Sequence, residues 1–229
     1  MTTVMDRATF AHALEHSLLA PGTIESQVVE GCRFAAAEGV KVVVVQPCFV
    51  ETAARALRGT SVLVGAVLGF PHGCDLTDVK ALSARRLRAL GADELDMVLN
   101  RSLLRSGRAL EMEADIREVV ESASGATAKV ILETGELSDI EIAQCVEAAR
   151  RAGADFVKTS TGFAGTGATV ESVRLLRRLA GKSLGVKASG GIRTLDQALA
   201  MIEAGADRLG LSATAAILDE WDKRYPNGR

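Results

Sequence analysis

Aromatic residues make up only 3% of this 229-residue chain, with one tryptophan and one tyrosine, and its basic residues nowhere gather into a stripe. Both shortages speak against a nucleic-acid-binding surface, which needs a basic face and commonly stacking aromatics. Charge of either sign is nearly balanced, 27 Lys and Arg against 29 Asp and Glu, so an anionic ligand would have to be held by a local site. The four cysteines, Cys32, Cys48, Cys74 and Cys145, form no CxxC pair, which excludes the usual zinc spacing and offers no disulfide framework. Long apolar runs are also missing: the longest, 61–70, is too short to span a bilayer, and 1–14 carries charges without the apolar core of a signal peptide. A reducing, cytoplasmic setting is therefore expected, with no membrane and no nucleic-acid partner. Three scattered histidines give no catalytic triad, and His72, in a Pro-His-Gly stretch, reads as a turn residue.

What the chain does contain is aliphatic. Hydrophobic residues are 48% and charged residues 24%, with mean hydropathy +0.17, a composition that builds a large globular core. Gly-Ala-Asp recurs at 91–93, 153–155 and 205–207, with a weaker copy at 38–40, each time between a helical pattern and a short apolar strand. The spacing is about two strand-plus-helix units of an α/β barrel of ~250 residues. Between these marks lie strands of the other phase. The pattern predicts helices at 6–14, 24–38, 51–57, 76–90, 103–122, 138–151 and 195–203, with a further one starting near Thr169. Strands are predicted at 15–21, 40–45, 61–68, 94–99, 129–133, around Lys158, 184–189 and 208–211. Pro47 ends the second strand because it cannot donate to a central ladder, and Ser138 with Glu141 forms a capping box. Eight parallel strands without a linker predict one α/β domain over 1–229, a (β/α)8 TIM barrel with a short N-terminal helix. An open dinucleotide-binding sheet is disfavoured, since no glycine-rich fingerprint follows the first strands.

Lys158 is the anomaly in this pattern. Strand alternation puts Phe156, Lys158 and Ser160 on one face, so the ammonium is either inside a covered sheet or snorkels to its rim. Barrel enzymes carry their chemistry at the carboxyl ends of the strands. There the inward phase offers Asp96, Lys129, Glu133, Lys158 and Lys187, with Ser212 at the last exit. Two charged lysines on neighbouring strands repel, and the relief is for one to lose its proton and become nucleophilic. Schiff-base chemistry on a carbonyl substrate follows, with Asp96 moving protons. Structural readings stay open beside this one: Asp96 as an ion-pair partner, Lys187 as a phosphate ligand, and Glu133 as a partner of Lys129 or Lys158. Gly162, Gly190, Gly191, Gly210 and Ser212 together suit a phosphate held by backbone N–H groups.

Five segments, VLGFPHG (67–73), ELDMVLN (94–100), KVILETGEL (129–137), GADFVKTSTG (153–162) and GVKASGGIR (185–193), resemble the deoxyribose-phosphate aldolase family in order. The resemblance implies a metal-free and cofactor-free lyase that cleaves 2-deoxy-D-ribose 5-phosphate to acetaldehyde and D-glyceraldehyde 3-phosphate, compatible with a homo-oligomer. By position, it makes Lys158 the Schiff-base lysine, Lys187 the group that lowers its pKa, and Asp96 the proton relay. Alternatives are a lysine aldolase for another aldehyde pair and a barrel that only binds sugar phosphates. Departures occur where the family's usual DHTLLKP is EHSLLAP (15–21), so that Glu15 and Ala20 differ, and where CVNP is VVQP (44–47), which brings Gln46. Ala213 follows Ser212 where a second hydroxyl or a glycine is usual, which predicts a missing phosphate contact. Some relatives end on a tyrosine, but the surroundings of Tyr225 match too poorly to transfer a role.

Overall fold

A computed structural model describes residues 5–226. A short helix α1 (Arg7–His12) precedes β1 (Leu14–Leu18), after which strands and helices alternate: α2 (Glu25–Glu38), β2 (Val42–Val45), α3 (Val50–Ala56), β3 (Leu63–Leu68), α4 (Thr77–Ala89) and β4 (Glu94–Val98). The second half continues with α5 (Arg101–Arg105), α6 (Ala109–Ala123), β5 (Thr127–Ile131), α7 (Asp139–Arg151), β6 (Phe156–Lys158), α8 (Val170–Ala180), β7 (Gly185–Ser189), α9 (Leu195–Glu203), β8 (Arg208–Leu211) and α10 (Thr214–Arg224). All eight strands pair in parallel in chain order, and β1 closes on β8, so the expected (β/α)8 barrel is what the chain forms.

The recurring Gly-Ala-Asp has a structural reason in this barrel. Gly39, Gly91, Gly153 and Gly205 all have φ between 71° and 109°, the left-handed conformation that ends a helix without a Cβ clash. The aspartates then reach across the barrel floor. Asp93, Asp155 and Asp207 accept the backbone N–H of Val64, Ala128 and Val186 at 2.8 to 2.9 Å, satisfying the entrances of β3, β5 and β7. One strand in two receives this cap, which is why the mark recurs every second unit.

Two apolar regions form. The larger lies between the strands and the helices and holds outward residues such as Val43, Val157 and Val186. Inside the barrel, Val42, Val44 and Val67 make a smaller cluster on the β2–β3 side, leaving the opposite wall to polar side chains. The unbroken run Val42–Val45 is buried throughout, as a strand covered on both faces requires. A buried ion pair, Lys80 Nζ to Asp115 Oδ2 at 2.7 Å, ties α4 to α6, while Lys80 also donates to the Val98 carbonyl at 3.3 Å and anchors the exit of β4. Removing Asp115 would strand that ammonium, at a cost of about 3 to 5 kcal/mol.

Several boundaries differ from the sequence pattern. The helix expected over 103–122 is two helices, because Gly107 at φ 73° breaks the turn between α5 and α6. The first strand begins and ends earlier than 15–21 and leaves Pro21 in a loop. Helix α10 was not anticipated; its apolar face, Ile217, Leu218 and Trp221, packs on the core. The strand expected over 129–133 ends at Ile131, and Glu133 takes φ 61°, so period-two reasoning no longer sets its direction. The capping box of α7 forms as expected, with Ser138 N donating to Glu141 at 2.8 Å.

Candidate active site

Strand register assembles the site. Across β4 and β5, Asp96 lies opposite Lys129, and across β6 and β7 Lys158 lies opposite Lys187. With Glu15 from β1 and Glu94 from β4, three basic and three acidic side chains meet inside the barrel, none more than 3% exposed. Asp96 is the hub. Its Oδ2 accepts from Lys158 Nζ at 2.7 Å and from Lys187 Nζ at 2.6 Å, and its Oδ1 accepts from Lys129 Nζ at 3.0 Å. Glu15 Oε2 accepts from Lys187 and, at 3.3 Å, from Lys129, which also lies against Glu94.

Protonation follows from this arrangement. Burial of Asp96 would by itself favour the neutral acid, but Lys129, Lys158 and Lys187 outweigh it and hold the carboxyl well below the usual range. Lys129, buried but surrounded by Asp96, Glu15 and Glu94, is pushed up and stays an ammonium. Lys158 moves the other way, to about 8, chiefly because it is buried; the nearby Asp96 resists the shift and Lys187 adds a smaller push downward. Repulsion between two lysines is therefore not the leading cause expected from the sequence. The Asp96 carboxylate bridges the two amines, and for Lys158 desolvation outweighs the push from Lys187.

Lys158 opens into a cavity of about 700 Å³ at the carboxyl end of the barrel. Gly162, Gly190, Gly191, Gly210 and Ser212, the expected phosphate residues, all line it. Gly190 is pressed against Gly167, where an added Cβ would come within 3.0 Å of the neighbouring Cα. Gly210 has a second reason to lack a side chain: a Cβ there would lie 2.8 Å from Lys187 Cε, so this glycine makes room for the lysine. Arg193, Phe163 and His16 also line the cavity and were not singled out from the sequence. Arg193 is in the quoted GVKASGGIR segment, and its charge was the available signal. His16 is lowered to about 4 by burial and contacts Thr214 through Nδ1 at 2.9 Å, so it is a neutral wall of the site.

One expectation changes, and three other positions gain a structural setting. Glu133 is not a partner of Lys129 or Lys158; its carboxylate accepts the Thr161 N–H at 3.1 Å and the Thr161 hydroxyl at 2.5 Å, with Arg101 at 3.8 Å. It thus fixes the turn that follows Lys158. Ala213 is not among the residues that line the cavity and packs against the core. Gln46 donates to the Ala20 carbonyl at 3.0 Å and ties down the loop after β1. Tyr225 leans on Trp221, ring centroids 4.9 Å apart, a packing role. His72 is exposed in its turn and outside the cavity lining, as the sequence suggested.

Residues 2–220 match the DeoC/LacD family aldolases. The chain belongs to this family. It is 45% identical over 217 residues to a deoxyribose-phosphate aldolase of Caldanaerobacter subterraneus subsp. tengcongensis, covering 93% of this chain and 94% of that protein. A Micrococcus luteus protein of the same name is 45% identical over 226 residues, 95% of this chain and 99% of its own. Among solved structures, QR15, an aldolase, superposes with TM-score 0.91 at 39% identity over 95% of this chain and 97% of that one. Deoxyribose phosphate aldolase from Aeropyrum pernix, described as tetrameric, gives 0.90 at 33% identity over 95% and 93%. The DeoC/LacD membership makes this chain an aldolase, a lyase, on a barrel in which no described helix is long and apolar enough to cross a membrane.

Proposed function

We propose that this aldolase cleaves 2-deoxy-D-ribose 5-phosphate reversibly to acetaldehyde and D-glyceraldehyde 3-phosphate through a Schiff base on Lys158. The observation that carries the reading is Lys158 itself: a buried lysine held near pKa 8, hydrogen-bonded to Asp96 and open to a cavity rimmed by glycines. Near pH 7 to 8 a useful fraction of such an amine is unprotonated. The amine adds to the C1 aldehyde, and loss of water from the carbinolamine leaves an iminium ion. That cation draws electrons from the C2–C3 bond as the 3-hydroxyl loses its proton, which releases glyceraldehyde 3-phosphate and leaves an enamine. Protonation at C2 and hydrolysis then return acetaldehyde and the free lysine.

In this reading Asp96 and Lys187 move the protons. Asp96 is a carboxylate within hydrogen-bond reach of both amines and accepts a proton transiently, while Lys187 supplies one. The phosphate lies against the amides of Gly162, Gly190 and Gly191 and the Gly210–Ser212 exit, where Arg193 adds a charge-assisted donor. Borohydride reduction in the presence of acetaldehyde, followed by peptide mapping, tests the assignment. A stable adduct on Lys158 is expected. No adduct would leave a sugar-phosphate-binding barrel, and an adduct on another lysine would move the chemistry elsewhere.

A further inference from the structure

The chemistry just proposed uses Asp96, Lys158 and Lys187 and leaves Glu15 and Lys129 without a task, although both are fully buried in the same network. Burying two more ions is costly unless they do something for their neighbours. Glu15 is also a position where the sequence departs from its family's usual residue. Its Oε2 is the acceptor shared by Lys187 and Lys129, and its Oε1 is buried with no partner among the described residues. Lys129 in turn touches every acid of the cluster: Glu15, Glu94 and Asp96.

We propose that Glu15 and Lys129 are positioning residues that complete the charge parity of the buried cluster, three acids against three lysines, and so hold Lys187 and Asp96 in place around the Lys158 amine. The inference rests on the Schiff-base reading for its functional meaning. In a buried cluster of this kind, removing one charge shifts the proton affinity of the groups that remain. Of the three lysines, Lys158 is the one that yields, since it alone lies at the cavity and is already lowered. Removing the negative charge of Glu15 leaves a surplus cation and pushes Lys158 to lose its proton at lower pH. Removing Lys129 leaves a surplus anion and does the reverse.

The charged groups that act on Glu15 are Lys129 from β5, Lys187 from β7 and Asp96 from β4, with Lys158 and, at the floor, Lys41 within its field. On β8, Gly210 faces Glu15 and Arg208 lies two residues nearer the floor, opposite Lys187. On β2 the facing residues are valines, so no further ion screens it from that side.

The test reads Lys158 directly. Competitive labelling with acetic anhydride across pH, with peptide mapping, gives the midpoint of its amine without requiring turnover. Glu15→Gln is expected to move the midpoint down by about one unit, a tenfold larger free-amine fraction below it, and Lys129→Met to move it up by a similar amount. The double variant Glu15→Gln with Lys129→Met restores parity and should return the midpoint toward that of the wild type. Opposite shifts that cancel are a signature that loosened packing cannot produce. Unchanged midpoints, or shifts of the same sign in both single variants, would overturn the proposal. If a single variant fails to fold, the double variant decides: a midpoint near the wild-type value supports parity, and a displaced one refutes it. Borohydride trapping on the wild type is run in parallel, so a failure of the Schiff-base reading is seen separately from a failure of this one.

Discussion

Replacing Lys187 by leucine isolates the electrostatic part of the site. Lys187 sits between Asp96 and Glu15 and repels Lys158, but its contribution to lowering Lys158 is secondary to burial. The substitution therefore raises the Lys158 pKa without taking it back to the solvent value. The span from about 8 to the unperturbed 10.5 bounds the effect. If the rise is about one unit, the free amine at pH 7.5 drops from about a quarter of the enzyme to about 3%, an eightfold loss of rate, and at the full span the loss exceeds about a hundredfold. The sign matters: turnover follows the unprotonated amine, so activity recovers as the pH climbs past the raised value. Initial rates of aldehyde release between pH 6 and 10.5, for wild type and variant, show whether the rising limb moves to higher pH. A parallel loss at every pH would refute the electrostatic argument and make Lys187 a direct proton carrier or substrate ligand.

Four further substitutions probe the other parts. Lys158→Met is expected to abolish turnover in a folded protein. A lysine lowered from 10.5 to about 8 penalises the folded state below pH 8, and the penalty fades as the pH rises to 10.5, so wild type should gain up to about 3 kcal/mol over that window and the variant should lack the gain in urea titrations. Asp96→Asn keeps the shape but not the proton affinity and should cost about 10²- to 10⁴-fold in kcat; wild-type-like kcat would reduce Asp96 to an ion-pair partner. Arg193→Gln should raise KM for the phosphorylated sugar well above its effect on free deoxyribose, whereas Ala213→Ser, on the core side, should alter neither. Equal effects of Arg193→Gln on both sugars would send the search for the phosphate site elsewhere.

Much of the fold was legible because its signals are local. Where a helix ends in Gly-Ala-Asp, the glycine, the aspartate and the apolar run that follows report positive φ, a strand cap and a buried strand, and each depends only on neighbours in the chain. Period two also put Asp96, Lys129, Lys158 and Lys187 on the inward face. Where a single residue changes the backbone path, that logic stops. Gly107 divides one helical pattern into α5 and α6, and the left-handed Glu133 turns its carboxylate to Thr161 instead of the lysines.

By itself, then, the sequence determined the barrel, its strand order and the inward placement of Asp96, Lys129, Lys158 and Lys187, since alternation and turn chemistry are properties of short segments. Only the tertiary structure decided what those side chains do to one another. Closure of β1 against β8 brings Glu15 to Lys187 across 172 positions of chain, strand register sets Asp96 between two amines, and the depth of burial makes desolvation the main reason that Lys158 sits near 8. Coulomb interactions and solvation depend on distances in space, which no spacing along the chain encodes.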